Sequence, residues 1–248
     1  MNLDPLSRRQ WLTRGLTAAA AIGVTGGALD VLGATLKPQL DDITPSVCTL
    51  TCAQTLGPCY YSGTQVRHDI TEGKSGLPSL LGFLIVDADT CQPVENASID
   101  IWHTDRNGVY SAPITAMCNA GDATARTQTF CRGVQPADAN GWAYFRTIYP
   151  GWYSGRTTHI HATIRVGTSA IVTSQFHFAD TLIDYIYRTH PLYTHRPAKD
   201  TTNVRDGVIG GAATRVDPFL IQGKLIRDES LVGLKVIAIR NSTTRCSA

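Results

Sequence analysis

The chain has no run of five or more basic residues, and its 22 Lys+Arg against 20 Asp+Glu leave a formal net charge of only +2. That balance gives no electrostatic footprint for a nucleic acid or an anionic membrane surface. There is no Cys-x-x-Cys pair, so the cysteine spacing makes no good zinc pattern. A long unbroken apolar run is also missing. The Ala/Gly/Leu stretch near the start is short, glycine-rich and interrupted by Asp30, which argues against a spanning helix. No internal repeat is visible, which sets aside solenoids and propellers.

What is present begins with Arg8-Arg9, flanked by Ser7, Trp11 and Leu12 and followed by that apolar stretch. This layout reads as a twin-arginine signal peptide over residues 1–34, and the protein is expected to be exported to the periplasm or outside the cell. The rival reading is a retained amphipathic helix. All seven cysteines follow: Cys48, Cys52, Cys59, Cys91, Cys118, Cys131 and Cys246. In an oxidising compartment disulfides are the default, and an odd count leaves at least one thiol free or paired between chains. Cys118 and Cys131 bracket one loop and are the expected pair.

Residues 35–58 are polar and read as an N-terminal arm, with one domain over 59–248. "LLGFLIVDADTCQPVENASIDIWHTD" gives two strands around a turn-rich loop, and "DRNGVYS" a turn at Asn107-Gly108. Residues 111–140 lack periodicity and read as a long loop of the kind that is usually functional. "GWAYFRTIY", "HIHATIRV" and "AIVTSQFHF" alternate as strands, "DTLIDYIYRTH" is helical with Leu182, Ile183, Ile186 and Tyr187 on one face, and "GLKVIAIR" is a last strand. The expected fold class is all-β: a β-sandwich core of mixed strands with long loops and a short helix. Trp102 and Trp142 read as core aromatics.

The stretch "YPGWYSGRTTHIHATI" carries the chemistry. Side chains alternate along a strand, so His159, His161, Thr163 and Arg165 share one face while Ile160, Ala162, Ile164 and Val166 share the other. Two imidazoles roughly 7 Å apart at their Cα atoms can converge on one ion. The alternative is a hydrogen-bonded histidine pair. A cupin would place a glutamate soon after, where Ile164 and Arg165 stand. A zinc site would recruit His103 or His177, each of which reads equally well as a buried, satisfied histidine. Tyrosine is abundant nearby, and a bound cation stabilises phenolate at neutral pH. Two phenolates with two neutral imidazoles suit ferric iron.

"GPCYYSGTQVRHDITEG", "DADTCQPVENASIDIWHTDRNGVYS" and "FCRGVQPADANGWAYFRTIYPGWYSGRTTHIHATI" together resemble the intradiol ring-cleavage dioxygenases, and most of all their protocatechuate 3,4-dioxygenase-like, secreted branch. The resemblance runs over roughly 55–240. It implies non-haem Fe(3+) held by Tyr110, Tyr153, His159 and His161. Arg156 and Gln175 match the family's active-site arginine and glutamine, and Tyr60 or Tyr61 its pocket tyrosine. The implied reaction cleaves a catechol-type ring between its two hydroxylated carbons with O2, to a cis,cis-muconate-type diacid. Tyr153 is implied to leave the metal when substrate binds, and Arg156 to stabilise negative charge on the substrate. Gly155 stands where protocatechuate enzymes carry a tryptophan, and the arm is too short for the helical dimerisation domain of the intracellular catechol enzymes. Two other classes stay open: a catalytically silent β-sandwich binding module, and a zinc- or cupin-type enzyme using His159 and His161. No nucleic-acid partner and no membrane span are expected; homo-oligomerisation and the identity of the catechol are left open.

Overall fold

The computed structural model describes residues 48–209, 216–226 and 230–240. The expected signal over 1–34 and most of the expected arm lie outside these residues. Eight strands carry the fold: β1 (Pro78–Asp87), β2 (Ala97–Trp102), β3 (Arg132–Pro136), β4 (Trp142–Ile148), β5 (His159–Val166), β6 (Ser169–His177), β7 (Gln222–Ile226) and β8 (Ser230–Ile239). They form two four-stranded sheets, ordered β4-β1-β8-β7 and β3-β2-β5-β6. Among the described strands only β1 and β8 pair in parallel; the other strand pairs are antiparallel. This bears out the all-β sandwich of mixed strands.

Alternation explains the core. Leu81, Phe83 and Ile85 of β1, Phe145 of β4 and Ile237 of β8 belong to one buried cluster with Ile99, Ile101, Ile160, Ala162, Ile164 and Phe176 of the second sheet. The helix α1 (Asp180–Thr189) adds Ile183, Ile186 and Tyr187 to that cluster, with Leu182 packed at its margin. Among the described residues no helix is long and apolar enough to cross a membrane.

Three expectations are corrected. The stretch expected as loop over 111–140 contains β3, which pairs with β2. Its interior position is Gly133, where a Cβ would lie 2.5 Å from the Ile70 side chain, so an apolar signature is absent because the 67–70 segment fills that space. Trp142 is not core: it is half-buried and stacks on Tyr144 with centroids 5.7 Å apart, on the side of β4 away from Phe145. Cys118 bonds to Cys59 rather than to Cys131, and Cys48 bonds to Cys91. Cys118 and Cys131 bracket one loop, but that loop folds back onto the segment before β1.

The described end of the arm is held against the sandwich. Thr51 N donates to Ala238 O at 2.8 Å, and Gln54 N donates to Thr173 O at 2.8 Å, so the segment passes from β8 of one sheet to β6 of the other. Cys131 is free and fully buried, and burial pushes its thiol well above the ordinary cysteine range. Iodoacetamide should therefore leave Cys131 unmodified in the native protein and modify it after unfolding without reductant. Peptide mapping that instead found label on Cys59 would restore the Cys118–Cys131 pairing.

Candidate active site

Residues directly opposite in antiparallel strands point to the same side. The registers therefore lay Arg132, Trp102, His161 and Gln175 in one row across β3, β2, β5 and β6. His159 faces His177 in the next row, and Asp100 faces Thr163 on the other side. This face looks away from the sandwich core, yet His159 and His161 are each only 3% exposed and Gln175 and His177 are fully buried.

Two turns bring tyrosines over it. In the first, Asp105 Oδ1 accepts from Asn107 N at 2.8 Å and Val109 N at 3.1 Å. Gly108 there has φ +83°, and a Cβ would lie 2.3 Å from the Trp152 carbonyl oxygen. A Cβ on Gly151 would meet Arg106 O at 2.5 Å, and Gly151 N donates to Asp105 O at 2.8 Å. The two glycines let the turns pack backbone against backbone. The Tyr110 and Tyr153 rings consequently meet with centroids 5.9 Å apart. Tyr153 opens a second turn, closed by Arg156 N donating to Tyr153 O at 3.0 Å, with Gly155 at φ +79°.

Four donor atoms converge. His159 Nε2 lies 3.2 Å from His161 Nε2, 3.3 Å from Tyr110 Oη and 3.4 Å from Tyr153 Oη. His159 Nδ1 donates to Thr157 O at 2.7 Å, which turns the Nε2 lone pair into the cluster. Burial drives both His159 and His161 well below the ordinary histidine range, so both are neutral. Trp102 stacks on His161 at 4.9 Å. His103 is a satisfied interior histidine, with Nδ1 on Thr104 O at 2.7 Å and Nε2 on Thr147 Oγ1 at 2.9 Å. The His177 ring lies 5.4 Å from that of His159. Among the described residues no group of three or more His, Cys, Asp or Glu side chains is placed to hold a cation. The four-atom cluster depends on its two phenols.

Arg156 donates through Nε to Asp206 at 2.9 and 3.0 Å, through Nη1 to Tyr153 Oη at 3.3 Å, and through Nη2 to Gln175 Oε1. Gln175 Nε2 in turn donates to Thr55 O at 2.9 Å, and its backbone N–H to Gln54 Oε1 at 2.8 Å. A Cβ on Gly57 would sit 3.3 Å from the His161 ring, so the arm forms one wall of the site. Tyr60 packs edge-on against Trp102 at 4.9 Å and donates to Asp100 Oδ2 at 3.1 Å. Tyr61 curls back over Gly63, where a Cβ would meet its hydroxyl at 2.4 Å. Of the two tyrosines, Tyr60 is the one beside the cluster. Sequence reasoning missed Asp206, Asp100, Arg132 and the arm's Gln54 and Thr55. The register row alone could have found Arg132; Asp206 is 50 residues from its partner and carries no local signal.

Known proteins fit this picture. No family model matches the chain. It is 26% identical over 193 residues to the catechol 1,2-dioxygenase of Acinetobacter baylyi, a match covering 67% of this chain and 54% of that protein. The chain thus spans about half the length of that curated relative. Its fold matches the intradiol ring-cleavage dioxygenase from Tetranychus urticae with a TM-score of 0.68 and 25% identity, over 81% of this chain and 98% of that one. The dioxygenase domain from Streptomyces sp. SirexAA-E gives a TM-score of 0.55 at 22% identity, over 77% and 99%, a likeness of fold alone. At the level of the intradiol ring-cleavage dioxygenases, the resemblance read from the motifs is borne out: this chain is similar to them in sequence and in fold.

Asp100 is buried, its Oδ1 has no hydrogen-bond partner, and burial raises its carboxyl to about 6. A folded-state value above the unfolded one stabilises the fold at low pH. That stability is lost as pH rises from about 4 through about 6. Asp100→Asn should therefore be more stable than the parent at pH 8, by about 3 kcal/mol at most, with the gap closing at pH 4. Denaturant unfolding at the two pH values checks this, and an equal gap at both would remove the charge from the explanation.

Proposed function

We propose that this chain is an exported non-haem ferric-iron dioxygenase. It cleaves a catechol-type ring between the two hydroxylated carbons with O2, to a cis,cis-muconate-type diacid. The observation that carries the reading is the meeting of the His161 imidazole nitrogen and two phenol oxygens within 3.2 to 3.4 Å of the buried His159 Nε2. With its proton on Nδ1, His159 Nε2 has a single lone pair, too little to satisfy two phenol O–H groups and a second imidazole at once. A hard trivalent cation suits the set, because two phenolates offset most of its charge. Tyr110, Tyr153, His159 and His161 would hold it. Ferric iron, when bound, supplies Lewis acidity toward a catecholate.

The chain's own groups divide the remaining work. Tyr110, His159 and His161 are buried, whereas Tyr153 is half-buried on its turn. Tyr153 would therefore be the freest of the four to move, and Arg156 Nη1 donates to its hydroxyl at 3.3 Å. Arg156 presents positive charge where substrate charge develops, and Gln175 holds the guanidinium in place. The half-buried Tyr60 offers ring surface to an aromatic substrate, Trp102 backs the His161 ring, and Tyr61 lies outside this arrangement. The Cys59–Cys118 disulfide, with Ile114, packs over Tyr110 and keeps water from that side. Residues 1–34 act in this reading as the twin-arginine signal, 35–58 as the arm and 59–248 as the catalytic domain. The disulfides suit an exported protein.

Visible absorption of the iron-loaded protein tests the proposal. A broad red-brown band should appear and move to longer wavelength when catechol is added without O2. Tyr110→Phe and Tyr153→Phe should each weaken it, and a chelator should abolish both colour and ring cleavage. A colourless protein with stoichiometric zinc, or metal affinity unchanged in both tyrosine variants, would overturn the reading in favour of a zinc site or a silent binding module.

A further inference from the structure

The connection between α1 and β7 grips the Tyr153–Arg156 turn with two carboxylates. Asp200 accepts from Ser154 Oγ at 2.8 Å and from Gly155 N at 3.2 and 3.3 Å. Asp206 is fully buried and accepts from Arg156 Nε, from Thr157 N at 2.9 Å and from Val208 N at 2.9 Å. We infer that Asp206 is a positioning residue for ring cleavage, acting through Arg156; this rests on the reading of the site given above.

The guanidinium is a rigid planar fork, so fixing one nitrogen fixes the direction of the other two. Carboxylates commonly take arginine through two parallel N–H bonds. Here both carboxylate oxygens lie on Nε, which leaves Nη1 and Nη2 directed at Tyr153 Oη and Gln175 Oε1. Asp206 is itself held by the scaffold. It follows a 3-10 turn (Asn203–Arg205), whose Asn203 donates from Nδ2 to Phe178 O at 2.7 Å and from its backbone N to Asp180 Oδ2 at 3.2 Å. Arg156 is thereby referenced to the end of β6 and the start of α1, not to the exposed Ser154-Gly155 tip beside it. Asp200 differs in kind: it holds the tip and makes no bond to the guanidinium.

The test combines Asp206→Asn, Arg156→Gln and the double variant with a measurement on metal-free protein. In the iron-loaded enzyme, Asp206→Asn should lower kcat by about 100-fold with KM little changed, the loss expected from misplacing a reacting group by about an ångström. The double variant should be no slower than Arg156→Gln alone. In metal-free protein, nitrogen-15 NMR should show an Arg156 Nε–H that exchanges slowly with solvent in the wild type and fast in Asp206→Asn. Multiplicative losses in the double variant, or a rise in KM alone, would overturn the inference. So would a wild-type Nε–H that exchanges as fast as a surface arginine, and that readout stands even where Asp206→Asn fails to fold. A slow-exchanging Nε–H in a wild-type protein that takes up iron but leaves catechols intact would refute the ring-cleavage reading itself, and reduce Asp206 to a structural tie.

Discussion

Everything outside the sandwich answers to one constraint: β5 is bonded to a neighbour on both edges and covered on both faces. Its Ile160, Ala162 and Ile164 face is satisfied by packing against the opposite sheet. Its His159, His161 and Thr163 face is polar, and polar groups withdrawn from water need partners. The loop that carries Tyr110 and the Tyr153–Arg156 turn supply them to His159, while the arm and the connection after α1 hold the neighbouring Gln175 and Arg156. The site is the place where those four coverings meet over one strand.

Buried charge follows the same logic. Arg132 is 1% exposed and has no carboxylate within bonding distance; its Nη2 donates to Cys59 O at 2.8 Å and Ser111 O at 2.9 Å, and its Nε to Ser111 Oγ at 3.1 Å. Burial lowers it only to about 10, so it remains a cation at neutral pH. Carbonyl oxygens take its hydrogen bonds while the charge of Asp100 acts from further off, and those carbonyls belong to the two segments that the Cys59–Cys118 bond also joins. One residue on β3 thus fastens the covering loop to the segment before β1, with its guanidinium 5.8 Å from the Tyr110 ring.

What was legible in the chain was whatever repeats locally. The two-residue alternation of "HIHATIRV" gives β5, its core face and its histidine face, because both faces obey one rule. The helical stripe of α1 is equally plain. The strand β3 was not legible, since glycine occupies its inner position and arginine its site face. The cysteine pairing was missed because proximity in sequence is a poor guide where a loop folds back. Tyr60 and Tyr61 are adjacent between two turns, so only the neighbours Trp102 and Gly63 distinguish them. Asp206 depends wholly on tertiary structure: its partner is chosen by where a 3-10 turn is pinned, and no periodicity encodes that.

The parallel pair at the centre of the first sheet has a consequence for how the molecule comes into being. Residues 79–87 of β1 align with 231–239 of β8, so the middle of that sheet joins nearly the two ends of the described fold. Pairings so distant in sequence close late and slowly, because the loop entropy is lost before any contact compensates it. A nascent chain that has already made β5 and both of its histidines still lacks the strand that completes the opposite wall of the core. Until β8 arrives, β1 has one bonded neighbour and an open edge, the kind of surface on which chains pair with one another. Burial of the Ile160, Ala162 and Ile164 face of β5 is therefore completed only by the last long strand of the sandwich, and until then the chain is exposed to aggregation.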